Sequence, residues 1–279
     1  MRRILRLLPA LVLFLCGTLI LSFFFPHPKN ITTIKDVLIV LFYIANWFKA
    51  FHVRFSTFYA HTWSLSIEEQ FYIFWPPLFI ILCRVIANRL YISVVVGMLV
   101  ISSAILRIIL IAEGYSYERL YSGLDTRADS LLIGCFLGII ISYNLFSKVN
   151  FIKSFTSYAL FPATVILLLF VTFANHTGLS LYQWGLFIIN FSTSIIIFEF
   201  ITSSGGLLKS IMEFPVLVWI GKISYGLYLW HFPIYRIMVV NGFSRIWMLF
   251  LGGTITFVIA TISYYFVEKE FLKLKGRYR

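Results

Sequence analysis

Long apolar runs recur along this chain and constrain its fold more than any other feature. A helix needs about 20 predominantly apolar residues to cross the hydrocarbon core of a bilayer. Runs of that kind occupy most of the 279 residues, and charged residues make up only 12% of the sequence. An average soluble domain has about 25% charged residues. The sequence therefore predicts an all-α fold, a polytopic helical bundle that is integral to a membrane.

The apolar runs divide into candidate segments, of which the second is short. If that segment is re-entrant or interfacial, eight crossings remain, and we favour this count over nine. No internal repeat or linker separates the segments, so we expect residues 1–279 to form a single membrane-embedded domain with about 8–9 transmembrane segments. The predicted segments are 7–25, 34–48, 67–83, 90–112, 128–146, 156–174, 181–201, 223–240 and 246–266.

Basic residues at both ends of the chain predict its orientation. Arg2, Arg3 and Arg6 precede the first run, and five Lys or Arg residues follow the last one within 269–279. Cytoplasmic loops carry an excess of Lys and Arg, so we expect both termini to be cytoplasmic, which an even number of crossings allows. The net charge of +12 is spread over short clusters and predicts no nucleic-acid partner.

The segment from His61 to Tyr72 places a histidine and two adjacent carboxylates at the entrance of an apolar run. An ionised carboxylate at the centre of a span costs about 2.5–3.5 kcal/mol on insertion scales, so such residues predict a functional site. Glu68 and Tyr72 share one helix face, whereas Glu69 points about 100° away from Glu68. One carboxylate would face a cavity while the other caps the helix. The alternative is that both only cap it.

Asp125, Arg127 and Asp129 form a second charged group at the start of an apolar run. The two carboxylates lie four residues apart and therefore share one helix face. One interpretation is an ion-pair cluster that anchors a span at the interface. The other is a guanidinium held by two carboxylates at the rim of a polar cavity, where it could bind an anionic ligand.

A polar stripe runs down an otherwise apolar segment near the C-terminus. Ser224, Tyr228, His231 and Tyr235 follow the spacing of one helix face. Polar groups aligned in this way should face other helices or a water-filled cavity. The stripe therefore marks a candidate site, although a lone intramembrane histidine can also be a merely hydrogen-bonded structural residue.

The arginines at the N-terminus have two interpretations. Arg2, Arg3 and Arg6 can anchor the first helix on the cytoplasmic side. They can also bind a phosphorylated ligand, because guanidinium groups pair well with phosphate. The sequence has no Gly-rich phosphate loop, no Cys and His spacing for zinc and no nucleophile elbow. We therefore expect no metal site and no bound cofactor.

Taken together, these motifs resemble the acyltransferase-3 family of bacterial membrane O-acyltransferases. The matching pieces occur in the order that the family has, and they span almost the whole chain. They are 2–11, 61–72, 125–134, 220–233 and 263–269.

The resemblance implies transfer of an acyl group, commonly acetyl, to a hydroxyl of a cell-surface polysaccharide or lipopolysaccharide. The donor would be a cytoplasmic acyl-CoA, most commonly acetyl-CoA, acting as co-substrate. The location would be the bacterial inner membrane. The resemblance assigns donor binding to Arg2, Arg3 and Arg6.

The remaining site residues follow from the motifs and from the need for a base near the acceptor hydroxyl. His61 and His231 are the candidate bases, and Glu68 and Glu69 would orient the base or the acceptor. We expect substrate-binding or structural roles for Trp63, Ser64, Tyr72, Asp125, Arg127, Asp129, Ser224 and Tyr228.

The sequence departs from the family at its start. Family members begin with two further spans, whose arginine and histidine are regarded as central to catalysis, and this chain begins at what resembles the third span. We expect a truncated or mis-started coding sequence, or missing helices supplied in trans, and a periplasmic acyl-handling protein is a further candidate partner. Two other classes stay open, a polytopic transporter and a non-catalytic remnant or partner subunit, although a transporter fold commonly has inverted repeats that this sequence lacks.

Overall fold

The computed structural model describes residues 3–27, 31–143, 150–175, 177–202 and 207–274. Every regular element within these ranges is a helix, which confirms the all-α fold class. The longer helices are α1 (Ile4–Phe24), α4 (Trp63–Val85), α5 (Arg89–Ala112), α7 (Leu124–Ser142), α8 (Asn150–Phe173), α9 (Leu186–Thr202) and α11 (Pro215–Val240). The shorter helices are α2 (Ile34–Leu41), α3 (Ala45–Ala50), α6 (Tyr117–Ser122), α10 (Leu207–Met212), α12 (Arg245–Trp247), α13 (Gly253–Ser263) and α14 (Lys269–Leu274).

Several of these helices are continued by wider π-helical turns. Leu181–Gly185 leads into α9, while Met248–Gly252 and Tyr264–Glu268 join α12, α13 and α14. The chain from Arg245 to Leu274 is therefore helical without a break. Such turns are rare and often occur at functional sites, because they shift the backbone hydrogen-bond pattern by one residue.

Five helical stretches in the described part of the chain are long and apolar enough to cross a bilayer. Their outward faces are apolar as well, as on α8, where Phe161 is 78% and Val171 84% exposed. A water-soluble protein could not present such faces, so the chain is a membrane protein. The stretches are Leu5–Phe24, Arg89–Ala112, Phe155–Phe173, Leu181–Thr202 and Arg245–Lys273.

Three other predicted segments coincide with α4, α7 and α11, the long helices that carry the polar motifs. Their charged and polar residues lower their hydropathy, so composition alone does not identify them as spans. The total of 8–9 crossings therefore stays a prediction.

The short predicted segment 34–48 is not one helix. It forms α2 and the start of α3, of 8 and 6 residues, and the chain turns between them with Tyr43 in the left-handed region at φ 54°. The first of these helices starts at a capping box, in which Thr33 and Asp36 accept hydrogen bonds from each other's backbone N–H. Neither helix is long enough to cross a bilayer, which agrees with a re-entrant or interfacial segment.

The chain divides into two compact units. The first unit comprises residues 1–48, 54–66 and 210–279. Its core forms where α1 and α11 pack against the turn at Thr57–Tyr59. Within it, the Thr18 hydroxyl lies 2.8 Å from the Tyr59 hydroxyl. The buried residues of this core are Ala10, Leu11, Phe14, Leu15, Val40, Phe58, Tyr59, Leu229, Trp230, Ile234 and Met238.

The second unit comprises residues 49–53 and 67–209. Its central contact is the packing of α5 against α7, and α8 packs against α9. Apolar side chains fill the space between these helices in two clusters. The buried residues of one cluster are Phe71, Ile92, Val96, Val100, Leu132 and Ile139, and those of the other are Leu110, Leu120, Tyr182 and Leu186.

Candidate functional site

A cluster of aromatic and histidine rings lies in the first unit around His61. This side chain is buried, and its ring stacks on Phe232 with centroids 4.9 Å apart. The ring of His231 meets it edge-on at 5.4 Å, and the ring of Tyr228 lies at 5.2 Å. The spacing of α11 causes this convergence, because residues 228, 231 and 232 lie within about one helical turn of each other. Two of the candidate bases from the sequence are therefore neighbours.

The hydroxyl of Tyr228 holds the two chain segments of this cluster together. It donates a hydrogen bond to the backbone carbonyl of His61 at 2.5 Å. Its oxygen also lies 2.5 Å from the Ser64 hydroxyl. Because a phenol has one proton and the carbonyl can only accept, Ser64 must donate to Tyr228. The proton positions in this chain of bonds are therefore fixed by chemistry.

Neutral His231 has a single tautomer for the same reason. Its Nδ1 lies 2.6 Å from the backbone carbonyl of Tyr228 and 3.2 Å from that of Leu227. A carbonyl oxygen only accepts, so Nδ1 carries the proton. In the neutral ring Nε2 then carries the lone pair. An imidazole held in this way has the orientation that a general base needs.

His231 lines an open groove between α11 and α13. The groove has a volume of about 290 Å³. Tyr235 stands one turn along α11, with its ring centroid 6.4 Å from that of His231. On the opposite side of the groove, α13 contributes the small residues Gly253 and Thr256. This combination of one imidazole, two phenols and apolar side chains suits a small substrate group. The lining residues are Leu227, Tyr228, His231, Tyr235, Gly253, Thr256 and Phe257.

Two residues of the first unit that the sequence analysis assigned to the site, Ser224 and Trp63, do not line the groove. Ser224, the first residue of the polar stripe, is exposed and donates a hydrogen bond to Gly221 in its own helix at 3.0 Å. Trp63 is half-buried at the start of α4. The stripe thus contributes Tyr228, His231 and Tyr235 to the groove, and Ser224 stays at the surface.

The carboxylates of the His61 segment belong to the second unit. Glu68 and Glu69 are both half-buried in the first turns of α4, and Tyr72 is 41% exposed. Their orienting role stays a prediction.

The predicted donor site lies at the N-terminal end of α1. Arg2 is outside the described residues, Arg3 is half-buried before the helix and Arg6 is exposed. This helix packs against α14, which adds the exposed side chains of Lys269 and Lys273 to the same unit. Of these lysines, Lys273 is paired with Glu270 at 2.6 Å, so Arg3, Arg6 and Lys269 are the cations of this end that could meet an anion.

The second charged motif differs from the predicted arrangement. Asp125 does not hold Arg127 but forms a two-pronged ion pair with Arg119, at 2.8 and 2.5 Å. Asp129 pairs with Arg107 at 2.8 Å, and both partners are buried. The reason is geometric, since the carboxylates face α6 and α5, which sequence spacing within α7 could not reveal.

Arg107 is an important residue that the sequence interpretation missed. It is fully buried in α5 and, besides Asp129, donates hydrogen bonds to the backbone carbonyls of Thr126 and Tyr182, at 2.6 and 2.7 Å. It thereby links α5, α7 and the π-helical turn before α9. The sequence did contain an indication of its role: Arg107 is a single arginine within the apolar run 90–112, and a charge inside a membrane span needs a partner.

Comparison with known proteins identifies the family of this chain. It is 34% identical to "Peptidoglycan O-acetyltransferase OatA" of Listeria monocytogenes over 98% of this chain and 46% of that protein. It is 33% identical to "Putative peptidoglycan O-acetyltransferase YrhL" of Bacillus subtilis, over 96% of this chain and 44% of that protein. The chain thus spans less than half the length of these relatives. No solved structure matches it. The model of the acyltransferase domain family matches residues 1–265, so the chain belongs to this acyltransferase-3 family, as its motifs predicted.

Proposed function

We propose that this protein takes part in membrane O-acetylation, with acetyl-CoA as donor and a hydroxyl of a cell-surface glycan as acceptor. The observation that carries the proposal is the His231 geometry, in which Nδ1–H is bound to a carbonyl and Nε2 is left to act at an open groove. The names of the relatives favour peptidoglycan over lipopolysaccharide as the acceptor. They also favour acyl transfer over the transporter alternative.

His231 acts as general base in the proposed reaction. Its Nε2 takes the proton of the acceptor hydroxyl while the hydroxyl oxygen forms a bond to the thioester carbonyl carbon. The carbon–sulfur bond then breaks, and the departing thiolate takes up the proton from the imidazolium. The carbonyl oxygen becomes negatively charged before this step and needs a hydrogen-bond donor. Tyr235 lines the same groove and supplies a hydroxyl for that purpose.

The donor's phosphates bind at the basic end of α1, with Arg3 and Arg6 in the described part of the chain. Bound there, the donor is on the predicted cytoplasmic side, and both termini share that side of the bacterial inner membrane. Buried His61 has a supporting role through its backbone carbonyl and through its ring contacts with Tyr228 and His231. Helices or a periplasmic acyl-handling protein supplied in trans are further proposed partners.

The proposal is tested with membrane vesicles that contain the protein, radiolabelled acetyl-CoA and peptidoglycan fragments. We expect acetate to become ester-linked to the glycan, and we expect Arg6→Ala and Glu68→Ala each to abolish the transfer. Arg84→Ala is the matched control, because Arg84, like Arg6, is an exposed arginine, but it lies in the last turn of α4. Full transfer by Arg6→Ala or Glu68→Ala would refute the roles given to those residues. If this chain transfers no acetate, the assay is repeated with the upstream helices restored, and absence of transfer in that form as well would refute the proposed donor.

A further inference from the structure

The charged cluster of the second unit contains one more cation than its carboxylates compensate. Lys49, Arg107, Arg119 and Arg127 are the cations, and Glu118, Asp125 and Asp129 are the carboxylates. They interact through the ion pairs described above, through the charge of Glu118 at Lys49 and through those of Asp129 and Arg107 at Arg127. An uncompensated charge at a partly buried position is unfavourable unless a ligand neutralises it.

Arg127 carries the excess charge. The carboxylates on either side of it in α7 are already occupied, because each oxygen of Asp125 and of Asp129 accepts a hydrogen bond from another group. The Nη1 atom of Arg127 is buried and has no hydrogen-bond partner among the described residues. The residue lies in the first turn of α7, where the helix dipole also disfavours a cation. The arginine therefore has a donor group and a charge to offer to a ligand.

A second cation lies near the same aromatic ring. The Arg127 guanidinium carbon is 5.9 Å from the ring centroid of Tyr121, and the Lys49 Nζ atom is 5.1 Å from it. Burial lowers the pKa of Lys49, and the charge of Glu118 only partly opposes this. Both residues are half-buried, and within Arg127 the Nη1 atom is itself covered.

We propose that Arg127, with Lys49 as the second cation, binds a phosphate group. Guanidinium groups bind phosphate through two parallel hydrogen bonds, and a nearby ammonium adds charge. The phosphate can belong to an anionic lipid headgroup or be free in solution. The position at the start of α7, a helix that coincides with a predicted span, suits a headgroup, since the ends of spans lie at the level of the lipid headgroups. This proposal does not depend on the acetyltransferase reaction.

The first test measures the melting temperature of the purified protein in uncharged detergent while inorganic phosphate replaces chloride at constant ionic strength. A ligand that binds only the folded state raises this temperature, and we expect a saturable rise of at least about 2 °C. Arg127→Gln should abolish the rise, and Lys49→Gln should weaken the apparent affinity several-fold. The matched control is Arg89→Gln, because Arg89 also lies over a tyrosine ring, at 4.7 Å from Tyr143, but on an exposed surface.

The same variants distinguish a binding role from a structural one. Without phosphate, Arg127→Gln should melt close to the wild type, because it removes a poorly compensated charge and no hydrogen bond of Nη1, and gives up only the contact with the Tyr121 ring. A lower melting temperature in that buffer would assign Arg127 a structural role and overturn the proposal. If Arg127→Gln does not fold, Arg127→Lys serves instead and should bind phosphate more weakly than the wild type.

A second experiment, in lipid nanodiscs, distinguishes a lipid headgroup from free phosphate as the ligand. Wild-type protein and Arg127→Gln are reconstituted in phosphatidylcholine nanodiscs with and without phosphatidylglycerol, and their melting temperatures are compared. Stabilisation of the wild type by phosphatidylglycerol alone identifies a headgroup, and stabilisation by inorganic phosphate as well identifies a general phosphate site. No effect of either probe on the melting temperature would show that Arg127 binds no phosphate and would overturn the proposal.

Discussion

The Tyr228 hydroxyl donates a hydrogen bond of 2.5 Å to the backbone carbonyl of His61. These residues are far apart in the sequence, so the bond ties the loop before α4 to the middle of α11. Because the Ser64 hydroxyl donates to the same phenol, Tyr228 is the centre of a three-membered chain of hydrogen bonds. His231 bonds to the carbonyl of Tyr228, so the base and the phenol are held by one turn of helix.

Tyr228→Phe should destabilise the first unit. It leaves the His61 carbonyl and the Ser64 hydroxyl without their bonds to the phenol, and each buried polar group that loses its partner costs about 1–3 kcal/mol. The measurement is the melting temperature in detergent, together with acetyl transfer in vesicles. Tyr158→Phe is the control, since Tyr158 is 83% exposed on α8, and it should behave as the wild type. Equal stability of both variants would show that the bonds of Tyr228 contribute nothing.

His231→Gln should lower acetyl transfer by about 10²–10⁴-fold, the contribution typical of a general base. Glutamine keeps a polar side chain of similar length but cannot take up a proton, so folding should change little. The matched control is His52→Gln, because His52 is an exposed histidine in the second unit. Transfer rates are measured with saturating donor. Unchanged transfer by the His231 variant would exclude this residue as the base.

Arg107→Met should destabilise the second unit by about 3–5 kcal/mol, because it leaves the buried Asp129 carboxylate without its cation. Adding Asp129→Leu should recover part of this loss, since the double variant no longer buries a carboxylate that has lost its Arg107 partner. Lys273→Met is the control, as its ion pair with Glu270 is exposed and worth about 0–1 kcal/mol. A double variant that is less stable than the single one would contradict this account.

Gly226→Leu should destabilise the packing of α11 against α13. A Cβ atom at this position would lie 3.3 Å from the Cα and Cβ atoms of Ala260, so a larger side chain forces the helices apart. Overpacking of this kind costs about 1–3 kcal/mol. Gly221→Leu in the same helix is the control, because nothing lies within 4 Å of its added Cβ. We expect a lower melting temperature for the first variant only.

Because the pKa of the Tyr59 hydroxyl is raised in the folded protein, we expect a loss of stability at high pH. Burial raises its pKa to about 12, and the hydrogen bond with Thr18 only partly offsets this. The unfolded phenol titrates near pH 10, so the unfolded state releases its proton first. The contribution of Tyr59 is therefore complete below about pH 10 and falls as the pH rises toward about 12. The melting temperature of Tyr59→Phe should fall less steeply over this range, and parallel curves would count against the effect.

The positions of several long helices could be predicted from the sequence, because a bilayer restricts the structures that can cross it. Apolar runs of sufficient length must be helices, since lipid offers no partner for backbone groups. The runs 90–112 and 181–201 accordingly became helices within a few residues of their predicted ends. The length of 34–48 indicated that this segment does not cross the bilayer as an ordinary span, but its break into two helices was seen only in the structure. The orientation and the number of crossings stay predictions.

The candidate site was only partly readable. Of the polar stripe on α11, Tyr228, His231 and Tyr235 line one groove, because helical periodicity places residues at such spacings on one face. The same rule could not identify Ser64 as the partner of Tyr228, nor Arg107 as the partner of Asp129. Those bonds join helices, and spacing within one helix carries no information about its neighbours.

The sequence by itself determined a helical membrane protein of the acyltransferase-3 family and named the polar residues Tyr228, His231 and Tyr235 of the candidate groove. Only the tertiary structure decided which groups pair: Asp125 with Arg119, Asp129 with Arg107, and Nδ1 of His231 with a backbone carbonyl. The physical reason is that hydrophobic burial is non-directional and follows composition, whereas hydrogen bonds and ion pairs act within about 3 Å and require atoms from separate helices to meet.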